Sequence, residues 1–130
     1  MKSRQAGFTM IELIVVIVIL GVLAATALPK FIDMKSDAQA ASVAGVAGAA
    51  ASAMNLNYAG CALTGNVVTA NKCVKVSACA DASSLLQGGL PTDYTPGGTD
   101  PGTTNGSTST CKITALDGQF VSFTAIAAGN

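Results

Sequence analysis

Between Phe8 and Leu28 only Thr9, Glu12 and Thr26 interrupt an apolar run, and Leu13 to Leu28 carries no charge. A bilayer core about 30 Å thick takes roughly 20 apolar residues to cross as a helix. The run is therefore long enough to span a membrane. The short segment before it, MKSRQAG, carries Lys2 and Arg4. Basic residues there hold that end in the cytoplasm. Pro29 closes the membrane-like run, since a proline removes one helical hydrogen bond and kinks the helix. The helical pattern nevertheless resumes. Lys30 to Asn57 holds no further proline, and Lys30, Asp33, Lys35 and Asp37 keep its first turns polar. Residues 40–53 are nearly all Ala, Gly and Ser. Val43, Val46, Ala50 and Met54 recur at helical spacing and predict one buried face.

After Tyr58 the pattern shortens. Gly60 to Lys75 predicts a loop with one or two short strands, with Val67, Val68 and Val74 as core candidates. Ser77 to Gln87 predicts a short helix capped by Ser77 or Asp81, with Leu85 and Leu86 facing inward. Gly88-Gly89 and Pro91 stop it. Residues 97–110, GGTDPGTTNGSTST, are all turn formers and predict a mobile surface loop without buried apolar area. Cys111 to Leu116 and Gln119 to Ile126 are β-rich runs around Asp117-Gly118, a two-residue hairpin signal. The expected fold class is α+β: a long N-terminal helix, membrane-spanning in its first half, on a small antiparallel sheet. The expected organisation is a leader at 1–7, a spanning helix at 8–29, an amphipathic continuation at 30–57 and a disulfide-stapled β domain at 58–130.

Composition narrows the chemistry. The chain has 130 residues, half of them hydrophobic, yet much of that half is Ala, so the C-terminal core must be thin. Seven basic and seven acidic residues balance. No basic patch follows the first four residues, so no specific nucleic-acid site is evident. The absence of His removes the commonest general base and metal ligand. No catalytic constellation emerges, and the expectation is no enzyme, no cofactor and no metal. Asp81, Asp93, Asp100 and Asp117 match no EF-hand spacing. Asn105-Gly106-Ser107 fits a glycosylation sequon, a hint of surface modification. Cys61, Cys73, Cys79 and Cys111 all follow the apolar run. An even count in a small exported domain predicts two disulfides, and the lack of a C-x-x-C pair argues against zinc.

The first thirty residues fit several readings. Ala25-Thr26-Ala27 matches a signal-peptidase site, but Glu12 is out of place in a secretory h-region. A plain single-span anchor leaves Gly7 and Glu12 unexplained. Gly7-Phe8-Thr9-Met10-Ile11-Glu12, followed by LIVVIVILGVLAATALPKF, closely resembles the N-terminal signature of type IV pilins and pseudopilins. The resemblance implies cleavage by a prepilin peptidase after Gly7 and N-methylation of Phe8. It also implies that Glu12 pairs with the Phe8 amine of a neighbouring copy during assembly. Gly21 and Pro29 bracket a segment that loosens in related filaments. The implied partners are further copies of the chain in a helical filament, the peptidase, the pilus assembly machinery and the inner membrane before assembly. The implied destination is an extracellular pilus, or fimbrium, serving adhesion, twitching motility or DNA uptake. The alternative is a minor pilin or a type II secretion pseudopilin in a periplasmic pseudopilus. Of the three possible cysteine pairings, Cys61–Cys73 and Cys79–Cys111 join neighbours in sequence and are favoured.

Overall fold

A computed structural model describes residues 7–130, without the side chains of residues 32 and 33. Lys2, Arg4 and the rest of the expected leader before Gly7 lie outside the described residues. Helix α1 runs Met10–Leu63. Two compact units divide the chain, one up to Ala38 and one from Gln39 to Asn130.

From Met10 onward the first unit is helix. Its apolar side chains point in every direction, and among the described large ones even the most shielded, Val16, remains 46% exposed. A helix that is apolar all round has no stable place in water, and is covered by lipid or by other protein. This helix is long and apolar enough to cross a membrane. Pro29 sits inside it without ending it. Pro29 offers no N–H to the carbonyl of Ala25. Nearby, the Thr26 hydroxyl donates to the Leu23 carbonyl at 3.0 Å.

The second unit is α+β, as the pattern predicts. From Gln39 onward, α1 buries Val43, Ala47, Ala50, Met54, Asn57 and Cys61. Their spacing alternates between four and three residues, which places them in one stripe. The small residues in that stripe allow the sheet to approach closely. The sheet has three antiparallel strands, β1 (Tyr94–Gly98), β2 (Thr108–Ala115) and β3 (Phe120–Ile126), in the order β1-β2-β3. Alternation along the strands sends Cys111, Ile113, Phe123 and Ala125 into the core with Ala50 and Met54. Fully burying a side chain such as Ile113 or Met54 contributes about 1.5–3 kcal/mol. The opposite face presents Thr110, Lys112, Ser122 and Thr124 to solvent.

Several details differ from the sequence pattern. Helix α1 continues past Asn57 to Leu63. Gly60 lies inside that extension, and a Cβ there would fall 2.0 Å from the Lys72 carbonyl oxygen. The glycine thus allows the 72–73 segment to lie against the helix, where Cys73 bonds Cys61. Val67 and Val68 are 64% and 57% exposed and Val74 is only half-buried, so none of the three is a core residue; nearby Val76 is buried instead. Residues 60–75 contain no full strand, only an isolated bridge between Thr69 and Cys73. The expected helix at 77–87 is a 3₁₀ turn, Cys79–Asp81, followed by the single turn α2, Ala82–Leu85. Asp81 reaches back to accept the Ser77 and Ala78 N–H groups at 2.7 and 2.9 Å. Leu85 and Leu90 pack against the core, while Leu86 stays half-buried outside it.

Residues 97–110 are more ordered than their composition suggests. Gly97-Gly98 belong to β1 and Thr108 to Thr110 to β2. The turn between them is tied by backbone bonds from Gly102 to Ser77 and from Gly106 to Ala127. Asp100 accepts the Cys79 N–H at 2.8 Å, and Pro101 is buried. The β2–β3 connection is a three-residue loop rather than a two-residue one. Gly118 N–H donates to the Ala115 carbonyl and Ala115 N–H to that of Gln119. Gly118, at φ +85, takes the left-handed position that closes such a turn. The second disulfide, Cys79–Cys111, joins the 3₁₀ turn to β2.

Candidate assembly site at the helix N-terminus

Gly7, Phe8 and Thr9 precede α1 without regular structure. Nothing lies within 4 Å of the place a Gly7 side chain would occupy. The Gly7–Phe8 peptide bond precedes the first residue of α1. Phe8 is 87% exposed.

Thr9 is the N-cap of α1. Its backbone N–H and hydroxyl both donate to Glu12 Oε2, at 2.8 and 2.7 Å. In return the Thr9 oxygen accepts the Glu12 N–H at 3.3 Å. This is a capping box, in which two orphan donors of the first turn are satisfied reciprocally. The first helical bond, Leu13 N–H to the Thr9 carbonyl, follows at 3.2 Å. The Glu12 carboxylate is therefore engaged by its own chain and lies four residues after Phe8. Cutting the Gly7–Phe8 bond would create an amine one residue before the cap.

Thr9 is the residue the sequence reading missed, although T-x-x-E at 9–12 is the signal that marks a capping box. Thr9→Ala is expected to fray the first turn, at a cost of about 1 kcal/mol. Amide exchange at Glu12 and Leu13 in a detergent-held sample checks this, and unchanged protection would remove Thr9 from the site.

Other sequence-derived residues lie apart from this cluster. Gly21 has nothing within 4 Å of its missing side chain. No neighbour within the chain therefore requires a glycine there. Pro29 lies eight residues further along the same helix. The four cysteines belong to the second unit and form the two disulfides. A cleft of about 270 Å³ in that unit is lined by Leu56, Asn57, Lys72, Val74 and Leu85 among others. Its buried amide, Asn57, is committed to Val74, donating to its carbonyl and accepting its N–H at 2.8 Å each. Among the described residues, no cluster of potential metal ligands occurs.

Comparison with known proteins falls on the same segment. Residues 2–28 match the prokaryotic N-terminal methylation motif. The type IV major fimbrial protein FimA of Dichelobacter nodosus is 54% identical over 41 residues, 32% of this chain and 26% of FimA. The type IV narrow pilus major component PilA5 of Thermus thermophilus is 51% identical over 39 residues, 30% of this chain and 34% of PilA5. The type IV major pilin PilE1 of Neisseria gonorrhoeae is 54% identical over 39 residues, 30% of this chain and 24% of PilE1. The chain thus spans between 24% and 34% of the length of these relatives. No solved structure matches it. The similarity to type IV pilins is shown, and it resides in the N-terminal segment.

Proposed function

We propose that this chain is a structural subunit of a bacterial type IV pilus, cut after Gly7 and polymerised through its N-terminal helix. The observation that carries the proposal is the N-terminal part of one helix. Its first part is apolar on every side and has no cover of its own. Its start, with Gly7, Phe8 and Glu12, lies within residues 2–28, which match the methylation motif. Before assembly the inner membrane covers the apolar part. In the filament, other copies of the same helix cover it.

Cleavage by a prepilin peptidase frees the Phe8 amine, and methylation leaves its positive charge intact. The amine and the Glu12 carboxylate then need partners in an apolar setting. Pairing Glu12 of one copy with the Phe8 amine of the next fixes the axial register, the best-attested use of a buried pair. The contact is heterologous, so repeating it gives a polar filament. Gly21, a poor helix former, and Pro29, which removes one helical hydrogen bond, bracket a segment that loosens and lets the subunit extend on leaving the bilayer. The expected partners are copies of the chain, the peptidase and the assembly machinery. The filament then serves adhesion, twitching motility or DNA uptake at the cell surface, without catalysis by the subunit.

Intact-mass spectrometry of sheared surface filaments tests this. The expected chain starts at methylated Phe8 and lacks four hydrogens, lost to two disulfides. A chain starting at Leu28 would show ordinary signal cleavage and end the pilin reading. A processed chain confined to the membrane, absent from filaments, would assign it to a periplasmic pseudopilus.

A further inference from the structure

Strand β3 is an edge of the sheet, and its sequence, FVSFTAI, holds no charge, proline or glycine. Edge strands normally carry such residues or a bulge to prevent pairing with another chain. The other edge, β1, has Pro96 and Gly97-Gly98. The hydrogen-bond phase of β3 is fixed at both ends. Gln119 and Ala127 bond toward β2, to Ala115 and Ser107. By the two-residue alternation of an antiparallel pair, Phe120, Ser122, Thr124 and Ile126 aim their N–H and C=O groups away from β2. Among the described residues, none of these outward groups bonds to another segment. The next residue in this phase, Ala128, does find a partner: it exchanges two backbone bonds with Val76, at 2.8 and 3.2 Å. The outer edge therefore already accepts antiparallel pairing at one end, and stands open along the rest.

We infer that this open edge pairs with the same edge of a second copy, joining two three-stranded sheets into one. The strand suits itself as a partner, because it brings no like charges opposite one another. Val76 also limits the register, and the pairing takes the longest overlap it allows. It occupies the edge at Ala128, so a partner's β2–β3 turn cannot pass beyond Ile126. Placing the partner's Gly118 opposite Ile126 puts Ser122 opposite Ser122 and Phe120 opposite Thr124. The contact is then isologous, with its two-fold axis at Ser122. A polar filament has no such axis. Resting on the filament reading above, the pairing therefore joins copies on different filaments. One short edge binds weakly, but a row of them along two filaments acts together. Lateral bundling is the consequence.

The test uses the full processed chain, both in sheared filaments and in detergent before assembly. Ser122→Cys is expected to give a disulfide-linked dimer bridged through residue 122 on mild oxidation. Thr124→Cys, displaced from its own copy in this register, is expected to cross-link at least tenfold less. Ser122→Lys filaments are expected to lose low-speed sedimentation, and mixing them with Ser122→Glu filaments to restore it. Equal cross-linking at the two positions, no cross-linking at either, or unchanged bundling of Ser122→Lys filaments would overturn the pairing. If the wild-type chain forms no filaments, the pilus reading fails, and cross-linking in detergent alone decides the edge contact.

Discussion

Glu12→Val is expected to leave the chain inserted in the membrane and to reduce filament yield by more than about tenfold. Valine suits the bilayer better than a carboxylate, so insertion has no reason to fail. Assembly has two. The carboxylate is the proposed counter-charge for the Phe8 amine of a neighbour, and it also closes the capping box with Thr9. Glu12→Gln separates the two roles. Glutamine also serves in a capping box, because its side-chain oxygen can accept the Thr9 N–H. It cannot neutralise an amine. If the charge matters, Glu12→Gln assembles as poorly as Glu12→Val. If the cap matters, Glu12→Gln assembles normally and the inter-subunit pair is wrong. The measurement is the ratio of sheared to membrane-bound chain by quantitative immunoblot. Equal ratios for wild type and Glu12→Val would dismiss both roles.

The two units were legible to different degrees because different physics shapes them. The N-terminal helix is legible without a tertiary partner: an apolar run long enough to cross a bilayer predicts it. Helical period also selects the inward face at Val43, Ala50 and Met54, but Val46, expected on that face, is only half-buried and Ala47 takes the buried position. Strands β2 and β3 were readable from their β-rich runs and the turn between them. Strand β1 was not, since Thr95-Pro96-Gly97-Gly98 reads locally as a turn. An edge strand tolerates Pro96 because one side of it makes no ladder bonds. Gly98 is required by its neighbour: at φ +117, a Cβ there would lie 2.7 Å from the Thr110 carbonyl oxygen. Val67 and Val68 misled because β-propensity reports fit to a half-buried surface, which a disulfide-closed loop does not offer. The order of residues 97–110 depends on Asp100, Gly102 and Gly106 reaching segments distant in sequence, which no local pattern encodes. At the candidate assembly site, Gly7, Phe8 and Glu12 are visible as a motif. Thr9 is harder to see, because in the local pattern it reads as an interruption of the apolar run.

Replacing Cys79 and Cys111 together by alanine is expected to destabilise the second unit more than the same change at Cys61 and Cys73. The two bridges close segments with sequence separations of 32 and 12 residues. Loop-closure entropy assigns them about 4 and about 3 kcal/mol respectively. Position widens that gap. Cys79 and Cys111 lie in the main core with Met54, Ile113 and Phe123, whereas Cys61 and Cys73 share a small cluster with Ala128 alone. Truncation of the first pair opens space where α1, β2 and the 3₁₀ turn meet, and a residual cavity adds its own cost. The Cys79 backbone stays tied to Asp100, which bonds its N–H rather than its sulfur. The local turn should therefore survive while the domain loosens. With roughly 4–8 °C of midpoint per kcal/mol in a domain of this size, the expected fall is roughly 15–30 °C. Thermal unfolding of the detergent-held full chain, followed by near-ultraviolet circular dichroism of Tyr94 and Phe123, measures it. A larger fall for the Cys61–Cys73 replacement would mean that anchoring the end of α1, rather than the core around β2, holds this thin domain together.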